Sequence, residues 1–116
     1  MFNYEGRTFA AAGNTTGGDV DQSTLFHYHQ LENVVWATYS GGAIAWGTLI
    51  ATADGAGNLD MRYHHVALDG TIKVGKCRSR PERMPDGRIR LHEQWQWTEG
   101  AMGDGVSVVE EIVPAR

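Results

Sequence analysis

The stretch NLDMRYHHVALDGTIKVGKCRS, residues 58–79, carries two alternating segments on either side of Asp69-Gly70. Alternation of apolar or aromatic residues with polar ones over about 4–8 residues is the pattern of a half-buried strand. Asp-Gly between two such segments is a strong signal for a two-residue hairpin turn. Residues 58–66 and 71–79 are therefore predicted to form neighbouring antiparallel strands.

The same pattern recurs along the whole chain. Fifteen glycines among 116 residues, spaced at turn-like intervals, separate short segments rich in aromatic and β-branched residues. Eight strands are predicted in this way, at residues 6–12, 22–31, 34–40, 43–52, 58–66, 71–79, 88–98 and 105–113. Hairpin-length links favour one all-β domain over residues 1–116, an eight-stranded antiparallel up-and-down barrel. Two alternatives stay open, a two-sheet sandwich and a short helix in place of the last strand.

Charge and composition exclude several kinds of partner. The net charge is −4, the pI is near 5.6 and no basic run is long, so we expect neither nucleic acid nor a membrane as a partner. No stretch approaches the roughly 18 apolar residues of a membrane span. The N-terminal residues lack the pattern of a signal peptide, and the single cysteine allows no internal disulfide. A cytoplasmic location is therefore expected.

The Asp69-Gly70 turn also determines which side chains share a face. As a two-residue turn, it places His64 opposite Gly75 and Arg62 opposite Cys77. Residues directly opposed in an antiparallel pair point to the same side of the sheet. These four residues are therefore predicted to point together, either into the barrel or away from it.

Charge decides between the two directions. Lys76 and Arg78 alternate with the residues just paired, and charged side chains belong in water. The opposite face, with Arg62 and His64, is therefore predicted to line the lumen. Cys77 and Ser79 share this inward face, and similar reasoning on the other strands adds further lumen residues, namely Phe26, Tyr28, Tyr39, Glu93, Trp95 and Trp97.

The placement of Tyr39 depends on a second turn. If Gly41-Gly42 forms a two-residue turn, the strand before it is flipped relative to the strand after it and Tyr39 points outward. A three-residue loop with a bulge keeps Tyr39 in the lumen. Both arrangements stay open at this point.

The outer surface produced by this register is unusually apolar. It carries Met61, Tyr63 and His65, and exposed apolar patches often mark interfaces between proteins. This face could therefore form a subunit contact, which would make the protein a homodimer.

Three of the predicted lumen residues form the main candidate for chemistry. A lone carboxylate in an apolar barrel is costly unless it is paired, and Arg62 is the natural partner of Glu93. The structural interpretation is a buried ion pair that fixes the register. The functional interpretation is a catalytic site in which Arg62 stabilises an anion, His64 or Glu93 moves a proton and Tyr28 donates a hydrogen bond.

The other lumen residues are predicted to contact a ligand. An apolar pocket with a few polar groups is the usual form of a small-molecule site, and its predicted wall consists of Phe26, Tyr39, Cys77, Trp95 and Trp97. A buried thiol is more often a packing residue than a nucleophile, so Cys77 is assigned to the wall. The histidines lack partners at metal-ligand spacing, and neither a metal nor another cofactor is expected.

Four strings resemble a small bacterial family whose members are often labelled N-acetylglutamate synthase. They are FHYHQ (26–30), YSGGAIAWGTLI (39–50), LDMRYHH (59–65) and DGRIRLHEQWQWTEG (86–100). The resemblance covers residues 13–112 and implies a calycin-like barrel, similar to lipocalins and fatty-acid-binding proteins. The chain lacks the early G-x-W signature and the disulfide cysteines of lipocalins. It also lacks the glycine-bearing loop and helix that an acetyltransferase needs for acetyl-CoA, so no acetyltransferase activity is expected.

The sequence therefore predicts a small barrel enzyme. The predicted activity is hydrolysis of a small ester, phosphoester or phosphotriester in the lumen, with Arg62, His64, Glu93 and Tyr28 as the catalytic residues. The alternative is a calycin-type protein that binds a small apolar or aromatic ligand without turnover. Because the two share the lumen residues, the sequence does not separate them.

Overall fold

The computed structural model describes residues 2–12 and 19–113, and these residues form the predicted all-β barrel. Eight antiparallel strands follow one another around the barrel, and the last strand pairs with the first to close it. The strands are β1 (Thr8–Ala11), β2 (Leu25–Leu31), β3 (Val34–Gly41), β4 (Ile44–Ala53), β5 (Leu59–Ala67), β6 (Ile72–Arg83), β7 (Ile89–Glu99) and β8 (Asp104–Glu111). Within the described ranges, no helix is long and apolar enough to cross a membrane.

The last strand forms as predicted, and one other strand is longer than predicted. The final segment is a strand and not a helix, since β8 pairs with both β7 and β1. Strand β6 continues beyond its predicted end, through Pro81, which lies opposite Leu91. Proline is tolerated in a strand where the ladder does not require its N–H, so β6 continues past Pro81 to Arg83. The link between β6 and β7 is therefore a short hairpin turn rather than a loop of moderate length.

The Asp69-Gly70 turn differs from the prediction by one residue. The Ala67 N–H donates to the Thr71 carbonyl at 2.9 Å, so the loop contains three residues instead of two. Gly70 adopts a φ of 88°, the left-handed conformation that three-residue hairpin loops use at this position. The strands therefore pair with Val66 opposite Ile72.

This shift exchanges the two faces of β5. Tyr63 now lies opposite Gly75, and Met61 lies opposite Cys77. Because side chains alternate along a strand, a slip of one residue turns every β5 side chain to the other side. The lumen side chains of β5 are those of Leu59, Met61, Tyr63 and His65, while Asp60, Arg62 and His64 point outward.

Of the other two turns, one has the predicted register and the other adopts one of the two arrangements left open by the sequence. The two-residue link Glu32-Asn33 places Phe26 opposite Tyr39, as expected. A bulge between Tyr39 and Gly41 shifts the β3–β4 register, and it is the arrangement that keeps Tyr39 inside. The Tyr39 side chain is accordingly buried, with 2% of its surface exposed.

One end of the barrel is filled by apolar side chains. The Tyr4 hydroxyl donates to the Gly57 carbonyl at 2.6 Å, and this contact holds the N-terminal segment across the end of the barrel. The rings of Phe9 and Tyr28 meet edge to face at 4.9 Å just inside. Further buried side chains at the core are those of Val35, Ile89, Leu91 and Val109. The remaining part of the lumen holds the polar and aromatic groups described next.

Candidate functional site

The unfilled part of the lumen is a cavity of about 60 Å³. Several aromatic rings contribute to its wall: the Phe26 and Tyr39 rings stack at 4.8 Å, and the Trp95 and Trp97 rings lie 5.8 Å apart. The lining residues are Asp19, Val20, Phe26, Tyr39, Leu49, Met61, Tyr63, His65, Cys77, Glu93, Trp95, Trp97 and Ser107. At roughly 10–15 Å³ for each water-sized occupant, the cavity has room for about four or five non-hydrogen atoms.

Glycines beneath the rings give this cavity its shape. A Cβ on Gly47 would come 2.4 Å from the Tyr39 ring, and one on Gly105 would come 2.6 Å from the Trp95 ring. No side chain tolerates such contacts without displacement of its neighbour. These rings therefore lie close against bare backbone, in space that a larger residue would occupy.

Three polar residues form a row on adjacent strands at the cavity floor, where Glu93 and Ser107 line the cavity. Ser79, Glu93 and Ser107 lie opposite one another on β6, β7 and β8. The Ser79 hydroxyl donates to Oε2 of Glu93 and the Ser107 hydroxyl donates to Oε1, each at 3.1 Å. In the described part of the chain, Glu93 forms no ion pair, so its carboxyl group is held by neutral partners alone.

The surroundings of Glu93 change its acidity. Burial raises the pKa of the Glu93 carboxyl from its ordinary 4.5 to about 7, against the opposing effect of the hydrogen bonds from Ser107 and Ser79. The cause is desolvation, which disfavours the charged form when no countercharge is near. Glu93 is therefore a group that can gain or lose a proton near neutral pH at the floor of the cavity.

A second polar network lies at the cavity wall, between β3, β5 and the segment before β2. The Tyr39 hydroxyl lies 3.0 Å from Nδ1 of His65, and Nε2 of the same ring lies 2.9 Å from Oδ2 of Asp19. The Lys73 ammonium donates to the same carboxylate at 2.8 Å. Burial opposes ionisation of Asp19, but the hydrogen bonds from Lys73 and His65 outweigh it and lower the pKa of this carboxyl. This network ties the segment before β2 to the barrel wall.

Two of the predicted catalytic residues lie outside the barrel, so their placement in the lumen was wrong. Arg62 has 61% of its side chain exposed and pairs with Asp60 at 2.8 Å. His64 is exposed and lies 2.7 Å from the Thr48 hydroxyl. The cause is the three-residue loop after β5, which turns both side chains to solvent. Neither residue meets Glu93, and the predicted Arg62–Glu93 ion pair does not form.

The other predicted site residues do point inward. Phe26, Tyr39, Cys77, Glu93, Trp95 and Trp97 line the cavity. Tyr28 is buried beneath it, in the filled end, and does not line its wall. Burial, together with the negative charge of Glu93, raises the pKa of the Tyr28 phenol well above its usual value. The same two causes raise the pKa of the Cys77 thiol, so neither group ionises at neutral pH.

Several site residues were missed by the sequence reasoning. Met61, Tyr63 and His65 were assigned to an outer subunit contact, but they line the cavity and form no such outer surface. Their apolar and aromatic character was the available signal, since it contrasts with the charged alternate positions of β5. Asp19 carried no signal of this kind, because its role depends on contacts with β5 and β6, which are far away in sequence.

The described residues include no group of three or more histidine, cysteine, aspartate or glutamate side chains that could hold a metal ion. A family model described as avidin-like protein matches residues 2–112 of the chain. No curated protein and no solved structure gives a significant match. The matched segment contains all eight strands and every cavity-lining residue. The calycin-like barrel implied by the sequence resemblance is thus confirmed.

Proposed function

This chain belongs to the avidin-like protein family, and from that premise we propose that it binds a small molecule in the cavity of its barrel without turning it over. Proteins of this family are non-catalytic barrels that bind small ligands such as biotin. The observation that carries the proposal for this chain is the cavity itself, enclosed by aromatic rings with one carboxyl group at its floor. Such an arrangement of apolar walls and few polar groups is typical of ligand sites.

The hydrolase predicted from the sequence is contradicted by the family assignment, since avidin-like proteins are generally not enzymes. The structure also separates the predicted catalytic residues. Arg62 was expected to stabilise an anion and His64 or Glu93 to move a proton. Arg62 and His64 are exposed on the outer surface, and Glu93 lies apart from them in the cavity. The alternative, a binding protein without turnover, fits the family and the cavity together.

The cavity chemistry supports binding over nucleophilic attack. A thiol or phenol acts as a nucleophile when its pKa is lowered by a nearby base or cation. Here burial raises the pKa of both the Cys77 thiol and the Tyr39 phenol. These groups stay protonated at neutral pH, so they serve as wall and hydrogen-bonding groups.

The four tryptophans of the chain provide a direct test. Trp95 and Trp97 line the cavity, whereas Trp36 and Trp46 lie on the outer surface with 38% and 57% of their area exposed. We would titrate ¹⁵N-labelled protein with a set of small neutral, anionic and cationic compounds that includes biotin. A cavity ligand should shift the indole N–H signals of Trp95 and Trp97 and leave those of Trp36 and Trp46 unchanged.

A pair of neighbouring substitutions on β6 controls for position. Cys77→Leu adds bulk inside the cavity, and Lys76→Leu adds the same side chain to the outer face. The lumen variant should weaken the binding of any compound found in the screen, and the outer variant should not. If no compound moves the Trp95 and Trp97 signals, or if both variants bind equally well, the proposed binding function is rejected.

A further inference from the structure

The charge of the cavity is unbalanced, and this indicates what kind of ligand it takes. Glu93 lies at the floor with its two oxygens held by serine hydroxyls. Each carboxylate oxygen can accept more than one hydrogen bond, so acceptor capacity remains on both. The residue lines the cavity, so this remaining capacity faces the space that a ligand would occupy.

No described residue supplies a positive charge to Glu93. The two basic groups near the cavity, His65 and Lys73, both bind Asp19 instead. The titratable groups that face Glu93 from other strands around the lumen are neutral: Tyr28 from β2, Tyr39 from β3, Tyr63 from β5 and Cys77 from β6. An ionised carboxylate in such surroundings lacks a countercharge, and a ligand could provide it.

The aromatic wall favours the same kind of ligand. The faces of tryptophan and tyrosine attract cations, and this attraction grows as the cation is desolvated. Trp97 already has the Lys73 ammonium 5.6 Å from its ring centroid, so one ring of the wall takes part in such a contact. Trp95 and Tyr63 contribute two further rings around the cavity that contains Glu93.

We propose that the ligand is a small organic cation, a primary alkylammonium whose charged group pairs with Glu93 while its alkyl part lies among the aromatic rings. This inference rests on the proposed binding function and specifies its ligand class. The size of the cavity sets the scale of the ligand part inside it, about five non-hydrogen atoms.

Three compounds of equal size and different charge test this inference. We would titrate the ¹⁵N-labelled protein with n-butylammonium, 1-butanol and butyrate, and follow the indole signals of Trp95 and Trp97. The ammonium should bind most tightly and butyrate most weakly. In Glu93→Gln the affinity for n-butylammonium should fall by roughly 10- to 100-fold, whereas the affinity for 1-butanol should change little.

The pH dependence adds a second readout. An alkylammonium stays charged below pH ~10, so its affinity should follow the ionisation of Glu93. With a pKa of about 7 for that carboxyl, binding at pH 5.5 should be about thirtyfold weaker than at pH 8. A pH dependence that persists in Glu93→Gln would belong to another group and would contradict the inference.

The outcomes separate this inference from the proposed function. If 1-butanol or butyrate binds as tightly as n-butylammonium, or if other compounds of the screen move the Trp95 and Trp97 signals and the ammonium does not, the cation inference is wrong and cavity binding stands. If no compound moves these signals, the proposed function itself fails. If Glu93→Gln does not fold, the comparison of the three compounds on the unaltered protein still tests the cation inference.

Discussion

The Tyr63 ring lies directly against the backbone of Gly75. A Cβ added to Gly75 would come 2.3 Å from the hydroxyl oxygen of Tyr63. The two residues are opposite partners on β5 and β6, and both point into the lumen. This contact exists only in the register set by the three-residue loop at Asp69-Gly70. It therefore links the turn between the two strands to the shape of the cavity wall.

Gly75→Ala should destabilise the protein and narrow the cavity. The added methyl group must push the Tyr63 ring toward the cavity centre, and overpacking of this kind costs about 1–3 kcal/mol. Chemical denaturation would measure the loss in the free energy of unfolding. Because the two residues touch, Tyr63→Ala combined with Gly75→Ala should lose less stability than the sum of the single losses.

A second glycine provides the control for this substitution. A Cβ added to Gly55 would meet only open space, and Gly55 has no left-handed φ, so Gly55→Ala should be neutral or slightly stabilising. Equal losses for Gly55→Ala and Gly75→Ala would show that the effect comes from glycine replacement in general. The proposed contact with Tyr63 would then have no energetic role.

The fold was predictable because its signals are local. Glycine-containing turns and alternating segments fix the number and order of the strands, and hairpin links fix their neighbours. The register of β5 was not predictable from the Asp-Gly dipeptide alone. Asp-Gly occurs both in two-residue turns and in three-residue loops with glycine in the left-handed conformation. The strand registers that these two turn types produce differ by one residue along the whole ladder.

Substitutions of adjacent β5 residues should verify the observed register. Met61 is buried in the lumen, so Met61→Ala should cost about 2–5 kcal/mol of unfolding free energy. Arg62 is exposed and forms an ion pair with exposed Asp60, so Arg62→Ala should change stability by no more than about 0.5–1 kcal/mol. Urea denaturation would measure both losses. A larger loss for Arg62→Ala than for Met61→Ala would contradict the observed register and favour the two-residue turn, in which Arg62 points inward.

The site was less predictable than the fold because its polar partners come together from distant parts of the chain. Ser79 was correctly expected to point inward, but its contact with Glu93 depends on the β6–β7 register across the barrel. The contact between His65 and Asp19 joins residues 46 positions apart. No spacing rule in a sequence indicates such a pair, and only the closed barrel brings its members together.

Asp19→Asn should loosen the segment before β2. It removes the charge that Lys73 and His65 share, and hydrogen bonds to charged groups contribute roughly 1.5–3 kcal/mol each. Because the pKa of Asp19 is lowered in the folded protein, its contribution is present above the ordinary pKa of an aspartate, about 3.9, and is lost as the pH falls below it. Hydrogen exchange around Thr24 at pH 7 should therefore rise in the variant.

Asp104→Asn is the matched control, since Asp104 is exposed at the start of β8. It should leave the stability and the exchange around Thr24 unchanged at every pH. Equal behaviour of the two variants would mean that the Asp19 network does not hold this segment in place.

Glu93 should make the protein less stable as the pH rises from about 4.5 to about 7. The folded state holds the carboxyl proton with a pKa of about 7, raised by burial from 4.5. The unfolded chain therefore releases this proton first, and each further rise in pH up to about 7 favours unfolding. At 1.36 kcal/mol per pH unit the full effect is roughly 3 kcal/mol, and it levels off above pH ~7.

Glu93→Gln should remove this decline, because the amide has no proton to lose. The free energy of unfolding of the variant should rise steadily relative to that of the unaltered protein between pH 5 and 7. The difference should persist at pH 8, as measured by urea denaturation at each pH. The difference between the two proteins cancels the contribution of every group that both contain, and Glu99→Gln on the exposed end of β7 controls for the loss of a surface charge. Parallel stability curves from pH 5 to 8 would show that Glu93 is already ionised when the cavity is empty. A countercharge would then have to lie within the protein, and a cationic ligand would have no unbalanced charge to neutralise.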